Sequence, residues 1–219
     1  EQRKQYLPYY FPEQAAFSKA QKEVARLDFA GKYCLNPEDL WIVNMGTVTP
    51  RKGIHEFLEV AAITKAAQKK VSFIWIGGYE NEETKLQVEA ALKKMEYPGI
   101  LFTGALPHNA TNLLPFDVFF LSSREDPYPL VVVEAAYLAV PSICFDGSGG
   151  IPEFIENDAG WLIPDFSAGK AADCIIDINI NRTIIGEKGG KARLKAIARH
   201  SNETLIIDKF TKAININID

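Results

Sequence analysis

Cysteine is scarce in this chain, and the scarcity narrows its chemistry. Only Cys34, Cys144 and Cys174 occur among 219 residues. They are far apart, odd in number and not in metal-ligand spacing. That argues against a disulfide framework or a zinc centre, and for packing residues in a reducing compartment. Cys144, inside the apolar run 141–145, reads as a buried strand thiol. A basic excess is missing too. Lys and Arg number 24 against 28 Asp and Glu, a net charge of -4, so no global cationic surface points to nucleic acid. No apolar run approaches the roughly 18 residues of a membrane span. The opening Glu1-Gln2-Arg3-Lys4 has no apolar core behind it and is not a signal peptide. The chain does not begin with methionine, and a piece of a longer protein is expected. Neither the Gly-rich P-loop pattern nor an Asp-x-Asp metal signature is found.

What is present fits a globular domain. Apolar residues make up 47% and charged residues 24%. The length suits one large domain or two small ones, with a sizeable core. Residues 1–39 read as a linker or interdomain segment with one helix at 14–27, after an aromatic, proline-broken stretch at 6–12. From residue 40 the pattern is regular. Short apolar strands are expected at 40–45, 71–76, 100–102, 118–121, 142–145 and 160–163. Helices are expected between them at 54–69, 82–95, 109–114, 130–138 and 151–157, and after them from 168–178 into a helical C-terminal third. Apolar strands alternating with helices imply a parallel sheet covered on both faces. The expected fold class is α/β: a doubly wound, Rossmann-like, three-layer α/β/α sandwich over residues 40–219. Ligands of such sheets sit beyond the carboxyl ends of the strands. There this chain collects Gly46, Gly77, Gly78, Gly104, Ser122, Ser123, Gly147, Gly149 and Gly150.

Three segments at those ends carry candidate chemistry. Asp126 and Glu134 bracket a strand-to-helix turn, because Pro127 and Pro129 forbid helix before Leu130. Two carboxylates facing one cleft suit the paired hydroxyls of a ribose or sugar ring. The amides of Leu130, Val131 and Val132 form a helix N-terminus, a seat for a diphosphate. Pro50-Arg51-Lys52-Gly53 places a bidentate and a point cation at the next turn. Asp146–Glu153 is a glycine-rich loop able to bring amides against an anion. A helix cap, a basic surface turn and a plain loop are the structural alternatives, and each segment alone leaves both readings open. Of the histidines, His55 and His108 are expected near this cleft and His200 away from it. Trp41, Trp75 and Trp161 read as core. The cationic face at 188–199 reads as solvated, with contact to an anionic membrane surface the minor alternative.

Taken together these segments resemble a known family. Gly46 with Arg51-Lys52-Gly53, Phe73-Ile74-Trp75-Ile76-Gly77 and Phe102-Thr103-Gly104 come first. Asp117-Val118-Phe119, the run from Ser122 to Pro127, Glu134-Ala135, Val140-Pro141 and Gly149-Gly150-Ile151-Pro152-Glu153 complete the set. Over about residues 40–165 the sequence resembles the C-terminal, donor-binding domain of the group 1, family four, retaining glycosyltransferases of GT-B fold. The resemblance implies a nucleoside diphosphate sugar (UDP-, GDP- or ADP-) as donor, no covalently bound cofactor and no bound metal. It implies transfer of a hexose-type sugar with retention, in polysaccharide or glycoconjugate synthesis. Asp126 would meet the donor sugar, Glu134 the ribose and Lys52 the diphosphate. Arg51, Gly46, Gly77, Leu130, Val131, Gly149 and Gly150 would complete the donor site, with Ala105 and Leu106 edging the base. The acceptor (a sugar, lipid-linked sugar or protein) stays open. Its site would lie mainly on a missing N-terminal Rossmann-like domain, so the fragment alone is expected to be inactive. A cytoplasmic location is expected, with a peripheral position at the inner membrane face as the alternative. Two departures stand out: the family's first motif glutamate is Asp126, and an arginine that often follows the first glycine is Thr47. They keep a rival open, a nucleotide-sugar-binding or assembly module without activity. A phosphorylase or epimerase of the same fold is a further rival.

Overall fold

The computed structural model describes residues 16–67, 70–95, 99–107, 109 and 111–215. Six strands form one parallel sheet: β1 (Leu40–Met45), β2 (Val71–Ile76), β3 (Ile100–Phe102), β4 (Val118–Leu121), β5 (Ser142–Phe145) and β6 (Gly160–Ile163). Their order is β3-β2-β1-β4-β5-β6. The α1 (Lys19–Tyr33), α4 (Leu130–Tyr137), α5 (Ile151–Ile155) and α7 (Thr183–His200) helices serve one face of the sheet. The opposite face is covered by α2 (Ile54–Ala67), α3 (Glu82–Met95) and α6 (Ala168–Ile180). The chain closes with α8 (Glu203–Asn215).

The strands are mostly apolar because both faces of the central ones are buried; Asn44, Ser72 and Ser142 are the polar exceptions. Alternate side chains go to opposite sides. Trp41, Val43, Ile74, Phe119, Leu121 and Cys144 pack on the α1/α4/α5/α7 side. Ile42, Phe73, Trp75, Phe120, Ile143 and Phe145 pack on the α2/α6 side. The doubly wound, three-layer reading of the sequence is therefore correct. The order reverses at β1: the chain runs outward through β2 and β3, then crosses back to lay β4 on the other flank of β1. The loops leaving β1 and β4 diverge there and open a crevice.

Several sequence expectations need correction. The first helix starts at Lys19, not 14, and continues to Tyr33. Ser18 and Gln21 form a reciprocal capping box that fixes its start. Val24 and Leu27, spaced near one face of it, are exposed, while Phe29 and Ala30 face the core. Residues 111–115 form turns rather than part of a helix. The Asn109 side chain accepts from the Thr111 amide and hydroxyl, and Pro115 follows, so local side-chain bonding wins over helix there. Cys34 is exposed at the left-handed end of α1 and is not a packing residue. Trp161 lies on an edge strand and is only partly buried, with the Lys188 ammonium 5.2 Å from its ring. The 6–12 stretch, His108 and the 216–219 tail lie outside the described residues.

The cationic face of α7 is not simply solvated either. Lys188 donates to the carbonyls of Asn157 at 2.8 Å and Gly160 at 2.9 Å. Lys195 pairs with Glu156 and Asp158, and Arg199 donates to the Glu153 carbonyl at 2.9 Å. Arg193 donates to the Tyr137 carbonyl at the end of α4. These bonds strap α7 across α4 and α5.

Arg26 holds α1 to the same body. Its guanidinium donates to the carbonyls of Pro37 (2.8 Å), Pro115 (2.9 Å) and Asp39 (2.6 Å) and to the Asp117 carboxylate (3.1 Å). It also lies 4.1 Å from the Trp41 ring centroid. Bonds to a charged group contribute about 1.5–3 kcal/mol each, but they share one side chain and are not additive. Arg26→Ala is expected to lower stability by about 2–4 kcal/mol, read as a shifted urea midpoint. Arg26→Lys should recover less than half of that loss, because an ammonium lacks the planar fork.

Candidate functional site

The crevice is built by three loops. After β1 the chain passes Gly46 and turns at Pro50-Arg51-Lys52-Gly53 into α2. The Thr49 hydroxyl accepts from the Lys52 amide at 3.1 Å, and Gly53 N–H closes the turn on Pro50 O at 3.0 Å. Gly53 has φ +77, and a Cβ there would lie 1.8 Å from the Ser122 carbonyl oxygen. Only glycine lets this turn rest directly on the end of β4.

The β4 loop, 122–129, answers from the other flank. Asn44 donates to the Ser122 hydroxyl at 2.8 Å, and that hydroxyl donates to the Lys52 carbonyl at 3.1 Å. The Arg124 amide meets the Arg51 carbonyl at 3.3 Å, and the Arg51 guanidinium meets the Glu125 carbonyl at 3.3 Å. Arg124 also pairs with the buried Glu56 carboxylate of α2. At the centre the Lys52 ammonium is ion-paired and hydrogen-bonded to the Asp126 carboxylate, with side chains only 23% and 10% exposed.

The third loop, 146–150, is zipped to the second. The Asp126 amide donates to Ser148 O at 2.7 Å, and Gly150 N–H donates to Pro127 O at 2.9 Å. Gly149 has φ +141, and a Cβ there would lie 1.8 Å from the Asp126 carbonyl oxygen.

The structure thus brings together Lys52, Arg51, Asp126, Gly149 and Gly150. Leu130 and Val131 begin α4 directly behind Pro129. The Val132 amide, expected to be available with theirs, is already bonded to Pro129 O at 3.1 Å. Glu134 lies one turn into α4, partly buried. Gly46 and Gly77 stand at the ends of β1 and β2, where Gly46 N–H meets Ile76 O at 2.9 Å and Gly77 N–H meets Gly104 O at 3.0 Å. Ala105 is exposed and Leu106 half-buried on the next loop. A cleft of about 370 Å³ opens between Thr47, Thr49, Pro50, Arg51, Lys52 and Glu80.

Two features escaped the sequence. Glu80 adds an unexpected carboxylate to the cleft; its only sequence signal is its place just beyond Gly77-Gly78. His200, expected away from the cleft, is fully buried against the 122–129 loop, with Nε2 2.9 Å from the Tyr128 hydroxyl. Nothing in the sequence pairs residues 72 apart. His55 is exposed on the first turn of α2. A wider groove of about 480 Å³ runs along α6 beside Trp161. Its walls come from β6, α6 and α7 and include none of the strand-end loops, so the smaller cleft is the one at the crevice.

The model of the family described as "Glycosyl transferases group 1" matches residues 26–189 of this chain. The chain belongs to the group 1 glycosyl transferases. The chain is 27% identical over 173 residues to the poly(ribitol-phosphate) alpha-N-acetylglucosaminyltransferase of Staphylococcus aureus, covering 78% of this chain and 34% of the relative. It is 28% identical over 149 residues to the alpha-galactosylglucosyldiacylglycerol synthase of Streptococcus pneumoniae, covering 64% of this chain and 37% of the relative. The chain therefore spans about a third of the length of these relatives. Among solved structures, Anabaena HepE in complex with UDP and glucose superposes with a TM-score of 0.79 at 15% identity, over 94% of this chain and 55% of HepE. The fold is that of one GT-B half-domain. Among the described residues no helix is long and apolar enough to cross a membrane.

The zipped loops make a backbone test available. Gly149→Ala would drive its methyl into the Asp126 carbonyl and part the two loops. The variant is expected to melt lower than wild type. Gly190→Ala, where an added methyl meets nothing within 4 Å, should melt at least as high as wild type. Equal melting of the two variants would contradict the assigned role of the close approach.

Proposed function

We propose that this chain is the donor-binding half of a nucleotide-sugar glycosyltransferase. The full protein would transfer a hexose-type sugar from a nucleoside diphosphate sugar to an acceptor, with retention, in polysaccharide or glycoconjugate synthesis. The observation that carries this reading is the Lys52–Asp126 pair at the order reversal of the sheet, beside the exposed Arg51. An ammonium has three donors. Lys52 can keep one on Asp126 and offer another to a diphosphate oxygen, so that one cation touches both the sugar-binding carboxylate and the leaving group. Arg51 then grips the phosphates from the open side. Charge developing on the departing diphosphate meets cations already in place, which is the stabilisation such a transfer needs.

The remaining roles follow position. Asp126 takes the donor sugar hydroxyls and Glu134 the ribose hydroxyls. The amides of Leu130, Val131 and Gly149 face the anion, Gly150 N–H stays on Pro127 O and sets the shape of that loop, Gly77 lets the Gly46 carbonyl lie close beneath the site, and the backbone at Ala105 and Leu106 edges the base. HepE was solved with UDP and glucose, which favours a nucleoside diphosphate sugar here; GDP and ADP sugars remain alternatives. The first relative acts on poly(ribitol-phosphate) and the second makes a glycosyl diacylglycerol, so a polymeric or lipid-linked acceptor is the favoured class. A cytoplasmic location, close to the inner membrane face, belongs to the same proposal; the diacylglycerol product named for the second relative favours work near a lipid surface. A further N-terminal Rossmann-like domain, joined through the segment before Leu40, would carry most of the acceptor site. Thr47 and the short carboxylate at 126 favour one rival, a donor-binding module without turnover.

Calorimetry on the full-length protein with UDP, GDP and ADP tests the assignment. Lys52→Ala should weaken binding of the preferred nucleotide about 10- to 100-fold, the worth of one bond to a charged group. Glu134→Gln should weaken it less, and without any sugar present. Wild-type affinity in both variants would sink the reading. Measurable release of sugar from a nucleotide sugar excludes the inactive module, and residues 1–219 alone are expected to show none.

A further inference from the structure

Tyr128 sits in the middle of the loop that carries Asp126, two residues before Leu130 opens α4. Its ring turns inward, away from the crevice, and packs against the core on the α4/α7 side. Its hydroxyl lies 2.9 Å from Nε2 of His200, and the ring centroids are 5.8 Å apart. His200 is the last residue of α7 and is 0% exposed. On its other side Phe154 of α5 meets it edge-on at 5.9 Å. One imidazole therefore touches the loop after β4 through Tyr128, and the helix after the 146–150 loop through Phe154. Those same two loops are joined directly above it by the bond from Gly150 N–H to Pro127 O.

The histidine can hold a position because its helix is held. Arg193, Lys195 and Arg199 fasten α7 to the ends of α4 and α5, and Lys188 reaches the turn before β6. A packing role would be served by a phenyl ring at 128. A tyrosine hydroxyl in this place instead needs a partner, and a buried hydroxyl left without one is destabilising. Burial pushes the Tyr128 phenol up to about 12, so it stays neutral and its hydrogen remains available.

We infer that His200 is a positioning residue for donor binding: through the Tyr128 hydroxyl it fixes the 125–129 loop, and with it the Asp126 carboxylate and the first amides of α4. The inference rests on the donor reading above. Asp126 is two residues from Tyr128 and its partner Lys52 is anchored on another loop, so a loop released at Tyr128 lets the carboxylate leave the geometry in which sugar and diphosphate are met together. Displacements of about 1 Å are enough to matter at such a site.

The test uses the full-length protein with Tyr128→Phe, His200→Leu, the double variant and His200→Gln, whose side-chain amide can replace Nε2. Each single apolar variant is expected to raise the KM for the nucleotide sugar about 5- to 10-fold, the worth of one buried hydrogen bond, with the acceptor KM unchanged. The double variant should be no worse than either single, because both remove the same bond. His200→Gln should return the donor KM to within about twofold of wild type, since an amide keeps one bond to the phenol. Additive losses, a glutamine variant as poor as the leucine variant, or a lower melting temperature with unchanged donor KM would each overturn the inference. Amide hydrogen exchange over 125–133 separates this from the donor reading. Faster exchange in Tyr128→Phe and His200→Leu, in a protein that binds no nucleoside diphosphate, would retain the tie and remove only the donor assignment. Unchanged exchange in both variants overturns the tie itself.

Discussion

A parallel sheet whose order reverses has a weak point. The two strands at the reversal send their loops in opposite directions, and no ladder hydrogen bond joins those loops. In this protein the gap between the β1 and β4 loops is closed by the Lys52–Asp126 pair. Both side chains are mostly buried, so salt and solvent screen them less than a surface pair. Burial also removes hydration from each charge, so the pair holds only if its geometry is kept by neighbours. The neighbours are there. Ser122 bonds the Lys52 carbonyl, the Arg124 amide bonds the Arg51 carbonyl, and Gly53 rests on Ser122 without a side chain between them. The loops of two non-consecutive strands thus behave as one rigid edge.

The same logic continues behind the crevice. The 146–150 loop is bonded to the 126–127 backbone, and α5 continues from it. Its end and that of α4 leave carbonyl groups without partners inside their own helices. The cations of α7 fill those positions: Arg193 at the Tyr137 carbonyl, Arg199 at Glu153, and Lys195 at Phe154 and Ile155, while the Lys195 ammonium also pairs with the Glu156 and Asp158 carboxylates. The α7 helix is therefore a brace for the crevice, although among the described residues it contributes no side chain to the cleft itself.

Most of the fold was legible in the sequence because burial on both faces leaves a simple trace. Runs such as Leu40–Met45 and Val71–Ile76 have no polar alternation, and glycine follows each one. Where tertiary contacts override local pattern, legibility ended. Val24 and Leu27 are spaced like a buried stripe, yet α1 is held by the fork of Arg26 and by Phe29. The 109–114 stretch reads as a short helix, but the Asn109 side chain accepts from the Thr111 amide and hydroxyl instead. In the candidate site, residue types and their strand-end positions were readable, since glycines, cations and carboxylates stand out beside the apolar strands. Pairings were not. Lys52 was readable as a phosphate cation, but its bond to Asp126 joins residues 74 apart. His200 carried no local signal at all, because its partner lies on another element and neither residue interrupts a helix or strand pattern.

The distribution of burial among the four charges of the crevice divides their work. Lys52 and Asp126 are held inside, fixed by each other and by the backbone around them. Arg51 and Glu125, one residue earlier in each loop, are exposed. A preorganised charge stabilises a developing charge without reorganising at the moment of reaction. An exposed side chain can instead reorient around a ligand whose exact outline varies. On the donor reading proposed above, the inner pair would suit the atoms that change, the sugar and the oxygen leaving it, and Arg51 would suit atoms that only need to be held. Asp126 is fixed against Lys52, where the resembling family has a longer glutamate; on the same reading its shorter reach would require a sugar to seat more deeply.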